Sequence, residues 1–95
     1  MQPPSDIPPE QSLIEYPCRF PIKVMGANNA DFVAAMTVLA QTFEASFEPS
    51  HHMDQRPSRA GNYLGLTLRV EVHSREQLDD LYRSLTSHAL VKFVL

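Results

Sequence analysis

From Leu64 to Val72 the chain alternates without a break. Leu64, Leu66, Leu68, Val70 and Val72 are apolar, and Gly65, Thr67, Arg69 and Glu71 stand between them. Successive strand side chains point to opposite faces, so this period of two builds a strand with one face for a core. The question the stretch raises is what its other face does.

The remaining segments supply that strand with partners. In "FPIKVMG" (residues 20–26), Phe20, Ile22 and Val24 share one face and Pro21, Lys23 and Met25 the other. Pro21 lacks a ladder donor, which suits a strand start, and Gly26 is expected to turn the chain with a positive φ. "NNADFVAAMTVLAQTF" (28–43) reads as a helix, with Phe32, Met36, Leu39 and Phe43 in one stripe widened by Val33 and Ala40. Asn28 or Asn29 can cap it, and Asp31 complements its dipole. "SFEPSHHMD" (46–54) alternates loosely and reads as an edge strand because of Pro49. "QRPSRAGN" (55–62) then forms a polar hairpin tip, expected to be mobile. "SREQLDDLYRSL" (74–85) is a second helix, with Ser74 and Gln77 in capping-box spacing and Leu78, Leu81, Tyr82 and Leu85 inward. "HALVKFVL" (88–95) closes as a strand, with Val91, Phe93 and Leu95 inward and Leu90, Lys92 and Val94 outward.

The order β-α-β-β-α-β, with right-handed crossovers, predicts an α+β ferredoxin-like split-βαβ sandwich. Its antiparallel sheet has the order 4-1-3-2, with two helices on one face. The 95 residues make one domain over 15–95. Residues 1–14 form a tail: four of the eight prolines fall in "MQPPSDIPPE", with no apolar period, and the composition predicts disorder.

"KVMG", "GNY" and the closing "VKFVL" carry a resemblance to the small YbeD-like family of bacterial proteins, over residues 16–95. That family is similar in fold to the ACT-type regulatory domains that sense small molecules. The resemblance brings no catalytic or ligand residues onto this chain. Genome neighbourhood associates such proteins with lipoate metabolism, so an accessory role there is one reading the resemblance implies.

Chemistry is sparse. Cys18 has no local nucleophile motif, cannot form an internal disulfide, and with the absence of a secretory signal favours a cytoplasmic setting. His51 and His52, as strand neighbours, would point to opposite faces and cannot share a metal ion. His73 and His88 suit caps or surface. Asp79 and Asp80 are adjacent on a helix and face apart. No phosphate loop, nucleophile motif or dinucleotide fingerprint occurs. No apolar run approaches the roughly 20 residues a membrane helix needs. We therefore expect no enzyme, no cofactor and no metal.

The open sheet face is the place to expect recognition. Lys23, Tyr63, Thr67, Arg69 and Lys92 should form one patch there, Lys23 lying between Thr67 or Arg69 on one side and Lys92 on the other. Apolar side chains ringed by charge suit a docking face for a protein, a small metabolite or a second copy of the chain. The turn of Gly26, Asn28 and Asn29 is a second candidate, since an exposed helix N-terminus can receive a carboxylate. An RNA-binding sheet is the alternative from another class. One outward aromatic, Tyr63, a net charge of -3 and a pI near 5.7 weigh against it. The expectation is a small non-catalytic interaction or regulatory module.

Overall fold

The computed structural model describes residues 15–95; the tail expected over 1–14 lies outside them. The elements are β1 (Cys18–Ala27), α1 (Ala30–Phe43), a short helical turn α2 (Pro49–His52), β2 (Met53–Pro57), β3 (Tyr63–Val72), α3 (Arg75–Thr86) and β4 (Val91–Val94). The four strands form one antiparallel sheet in the order β2-β3-β1-β4, which is 4-1-3-2 counted from the other edge. Both long helices pack on the same side, in a ferredoxin-like arrangement. The even-numbered residues of β1 and β3 face them: Ile22, Val24, Leu64, Leu66, Leu68, Val70 and Val72 are buried with Phe32, Met36 and Ala40 of α1 and Leu78, Leu81 and Leu85 of α3.

Local chemistry starts both helices. The Asn29 side chain accepts the Phe32 N–H at 2.9 Å, and the Ser74 hydroxyl accepts the Gln77 N–H at 3.1 Å. The Gln77 side chain reaches back past the cap and accepts the His73 N–H at 2.7 Å, tying the entering chain to the first turn of α3. Pro21 sits on β1 beyond the end of β4. Leu95 N–H donates to Lys23 O, so odd-numbered backbone groups of β1 face the β4 side. The missing N–H of Pro21 therefore leaves no ladder bond unmade.

The structure corrects several expectations. The strand expected over 46–54 is instead a helical turn followed by β2. Pro49 occupies the first turn, where its fixed φ fits and no N–H is needed. His51 and His52 donate their N–H groups to Glu48 O, and His52 Nδ1 accepts the Glu48 N–H at 2.9 Å. His51 and His52 are thus helical neighbours and not strand neighbours. The hairpin tip shrinks accordingly, since Gln55, Arg56 and Pro57 pair with β3.

Gly26 has no positive φ; it is extended, and the one positive-φ glycine is Gly61, at 82°, in the β2–β3 turn. Glycine is required at 26 for space. A Cβ there would stand 2.6 Å from the Phe32 ring and 2.7 Å from Leu90 O.

The outward and inward sets of β4 also differ from expectation. Val24 pairs with Val94 and Met25 with Phe93, but Gly26 pairs with Val91, so Lys92 is the extra residue of a β-bulge. Val91 and Val94 therefore pack on the core. Lys92 and Phe93 turn to the open face, and Leu95 is 69% exposed. The neighbour of Lys23 on the β4 side is Leu95, not Lys92.

Candidate functional site

The uncovered side of the sheet carries the odd-numbered residues of β1 and β3. Register arranges them in rows. Leu95, Lys23, Thr67 and Asp54 form one; Phe93, Met25, Gly65 and Arg56 form the next; Ala27 and Tyr63 lie beyond. Two shallow hollows of about 310 Å³ each open here. One is lined by Lys23, Met25, Arg56, Gly65, Thr67 and Leu95 among others. The second is lined by Met25, Ser58, Tyr63, Lys92 and Phe93. Ser58 holds the rim: its hydroxyl accepts the Tyr63 N–H at 3.1 Å, and its own N–H donates to Tyr63 O at 2.8 Å.

Charge on the molecule is unevenly distributed. Of the eight Lys and Arg residues, four are engaged by carboxylates: Arg19 by Glu44 and Glu71, Arg69 by Asp54, Arg75 by Asp79, and Arg83 by Asp80. The other four, Lys23, Arg56, Arg59 and Lys92, have no ion-pair partner among the described residues. Lys23, Arg56 and Lys92 line the two hollows, and Arg59 lies in the turn that carries Ser58. The side-chain carboxylates of the open-face strands, Asp54 and Glu71, are both paired.

The opposite end of the same face is closed by a charge cluster. β2 pairs with β3 only as far as Leu68, so the β3 edge beyond it has no strand neighbour. Glu44, the residue ending α1, fills that gap: its Oε1 accepts the Glu71 N–H at 2.9 Å. Arg19 crosses from β1, donating to Glu44 at 2.9 and 2.7 Å and to Arg69 O at 2.8 Å. Burial alone would push the Glu44 carboxyl up. The hydrogen bonds from Arg19, the Glu71 N–H and Ser46, with the Arg19 charge, outweigh it and bring the pKa down to about 2. Nearby, Asp54 takes a two-point contact from Arg69, at 2.8 and 3.3 Å, and its pKa is lowered by that bond and charge.

Of the residues expected to form an interaction patch, Lys23 and Thr67 share one hollow and Tyr63 and Lys92 the other. Arg69 stands apart, held by Asp54. The turn residues belong to the fold: Gly26 packs on Phe32, Asn29 caps α1, and Asn28 Nδ2 donates to Gly61 O at 2.9 Å. Sequence reasoning did not bring Arg56 or Phe93 to the patch. Arg56 was assigned to a mobile tip, and Phe93 is turned outward by the bulge. Cys18 is half-buried against the core. No group of three or more metal-ligating side chains gathers among the described residues, and no helix there is long and apolar enough to cross a membrane.

Comparison with known proteins agrees with this architecture. A UPF0250 protein of Leptothrix cholodnii is 58% identical over 90 residues, spanning 95% of this chain and 98% of the relative. One from Bordetella pertussis is 52% identical over 90 residues, with the same coverage. One from Ralstonia nicotianae is 56% identical over 88 residues, spanning 93% of this chain and 90% of the relative. The solution structure of protein HP0495 from H. pylori matches with a TM-score of 0.68 over 96% of this chain and 97% of that one; at 16% identity this likeness concerns the fold. Residues 11–95 match the family described as "Protein of unknown function (DUF493)". The chain belongs to that family of small bacterial proteins, also called UPF0250, as the YbeD-like strand motifs implied.

Proposed function

We propose that this protein is a non-catalytic interaction module that docks a negatively charged partner on the Tyr63–Phe93 end of its open sheet face. One observation carries the reading: every cation without a carboxylate partner among the described residues lies at or beside the two hollows. The acids of the helices, Asp31 on α1 and Glu76, Asp79 and Asp80 on α3, belong to the covered side of the sheet. A protein of net charge -3 thus presents a local positive field at one end of one face. Such a field orients an anionic partner and repels it from the rest of the surface. Apolar Met25, Phe93 and Leu95 among the cations supply area to bury on docking.

Three polar groups of the kind an enzyme could use are engaged in the fold. Glu44 closes a sheet edge. His52 Nδ1 holds the Glu48 N–H, and His88 Nδ1 accepts the Leu90 N–H at 3.1 Å. The test is a backbone-amide NMR titration of the full chain at low salt. Polyglutamate and a single-stranded oligonucleotide serve as anions, with polylysine as the opposite charge. The reading expects at least one polyanion to move the amides of Lys23, Gly65, Tyr63 and Lys92. Shifts confined to α1 and α3, or none with either anion, would sink it.

A further inference from the structure

We infer that the anionic partner is single-stranded nucleic acid, its bases stacking on Tyr63 and Phe93 and its phosphates meeting Lys23, Arg56 and Lys92. This rests on the docking reading above and adds the chemistry of the ligand. Three observations carry it.

The first is the pair of rings. Tyr63 is 45% and Phe93 50% exposed, on strands either side of β1, and both line the same hollow. Neither ring stacks on another aromatic among the described residues. Two bare rings on an open four-stranded sheet form the platform on which unpaired bases stack, because every base has a π-face. The Lys92 bulge builds it: without the extra residue, strict alternation would put Phe93 and Val91 on the same face.

The second is Gly65, the third residue of β3, opposite Met25. Glycine weakens a strand interior, so it calls for a reason. Gly26 has one in the collision a Cβ would make. Gly65 does not: its φ is not positive, and a Cβ would meet only Arg56 O at 3.5 Å and Met25 Cε at 3.7 Å, ordinary contacts. Glycine here keeps β3 free of a side chain in the hollow beside the rings, next to Met25, which lines both hollows.

The third is charge. Lys23, Arg56 and Lys92 have no side-chain carboxylate partner in the described residues, and Asp54, the acidic side chain of their end of β2, is already paired with Arg69. An acidic peptide would also satisfy these cations. It would leave the ring faces without a matching surface, which is why nucleic acid is favoured.

Fluorescence anisotropy tests this with labelled decauridylate, decathymidylate and a duplex of mixed sequence, titrated with the full chain. The expected affinity for the single strands is about 10–100 μM at low salt, in the range of weak non-specific complexes. With three phosphate contacts, a fourfold rise in KCl should weaken binding about 20-fold. Tyr63→Leu and Phe93→Leu should each weaken it about 10-fold, whereas Tyr63→Phe should leave it intact. Gly65→Val adds a side chain to the hollow beside the rings while favouring the strand; it should keep the thermal transition and weaken binding. The comparison of uridylate with thymidylate assigns the source, RNA or DNA. Equal binding of the duplex would overturn the stacking, as would insensitivity to Gly65→Val and to both ring changes. If neither single strand binds while polyglutamate still moves the Lys23 and Tyr63 amides, the ligand is an acidic protein segment. The nucleic-acid inference then falls and the docking reading stands.

Discussion

The two ends of the open face are made from the same strands and finished differently. At the Arg19 end every charge has a partner. Glu44 and Arg19 together stand in for a missing strand, the carboxylate accepting the Glu71 N–H and the guanidinium donating to Arg69 O. An unpaired strand edge invites association with another chain, and this one is capped by side chains. At the Tyr63 end, three cations and two rings face outward without partners among the described residues. Both ends are mixed in charge and apolar character, so composition does not separate them. What separates them is whether the polar groups are already satisfied, and only an unsatisfied surface has interaction energy left for a ligand.

The largest effect should come from breaking the closed end. Glu44→Ala removes the acceptor of the Glu71 N–H and leaves Arg19 without its main partner. Stability should fall by about 2–4 kcal/mol in urea denaturation, within the range for a buried hydrogen-bonded charge that is only partly dry. Glu44→Gln keeps an acceptor for Glu71 and should cost less. If Glu44→Ala were neutral, the closed end would be surface decoration and the contrast between the ends would disappear.

Acid should act on the same end. The Glu44 pKa is depressed from its usual 4.5 to about 2. A depressed carboxyl contributes stability that is complete above the unfolded value and is lost as pH falls toward the folded one. The contribution, on the order of 3 kcal/mol, should therefore disappear between about pH 4.5 and pH 2. Denaturation midpoints measured across that window should drop in the parent, and the part owed to this group should be missing from Glu44→Gln. Asp54 is far more exposed, so its lowered pKa adds little to the same slope.

What the sequence made legible follows from range. The alternation of Leu64–Val72 and the stripes of both helices are local periods, and they place the core directly. Lys23, Tyr63, Thr67 and Arg69 take the outward side for the same reason. The helical turn at Pro49–His52 was masked because Phe47 and Met53, its buried flanks, have the same parity; a period of two fits both ends whatever lies between. The Lys92 bulge was invisible because "VKFVL" carries no signal for it. It is set by the pairing of β4 across β1, where Phe93 meets Met25. Glu44 lies 25 residues from Arg19 and 27 from Glu71, so no local motif could have marked it as the closure of a sheet edge. The candidate face was thus readable in outline, and its second ring and its engaged arginines were not.

Arg69 and Asp54 lie between the two ends and grade the comparison. Their contact has two-point geometry, but Asp54 is 68% exposed. A double-mutant cycle with Arg69→Ala and Asp54→Ala should return a coupling of about 0.5–1 kcal/mol, weaker at high salt. A coupling as large as the Glu44→Ala effect would extend the closed end across the face and shrink the open one.

The smallest effect on stability is expected at the open end. Lys23→Gln, Arg56→Gln and Lys92→Gln remove no carboxylate contact and no core atom. The three charges are neighbours on one face, so neutralising them also relieves mutual repulsion. Combined, the substitutions should change stability by no more than about 0.5 kcal/mol, with a slight gain at low salt that fades as salt is added. The sign matters more than the size. Cations that serve the fold are missed when removed, as Arg19 should be. Cations kept for a partner repel one another until it arrives, so removing them is neutral or favourable for the free protein and costly only for the complex. If urea denaturation shows that the triple variant loses as much stability as Arg69→Ala, these side chains support the sheet as the paired ones do, and the two ends of the face are not different in kind.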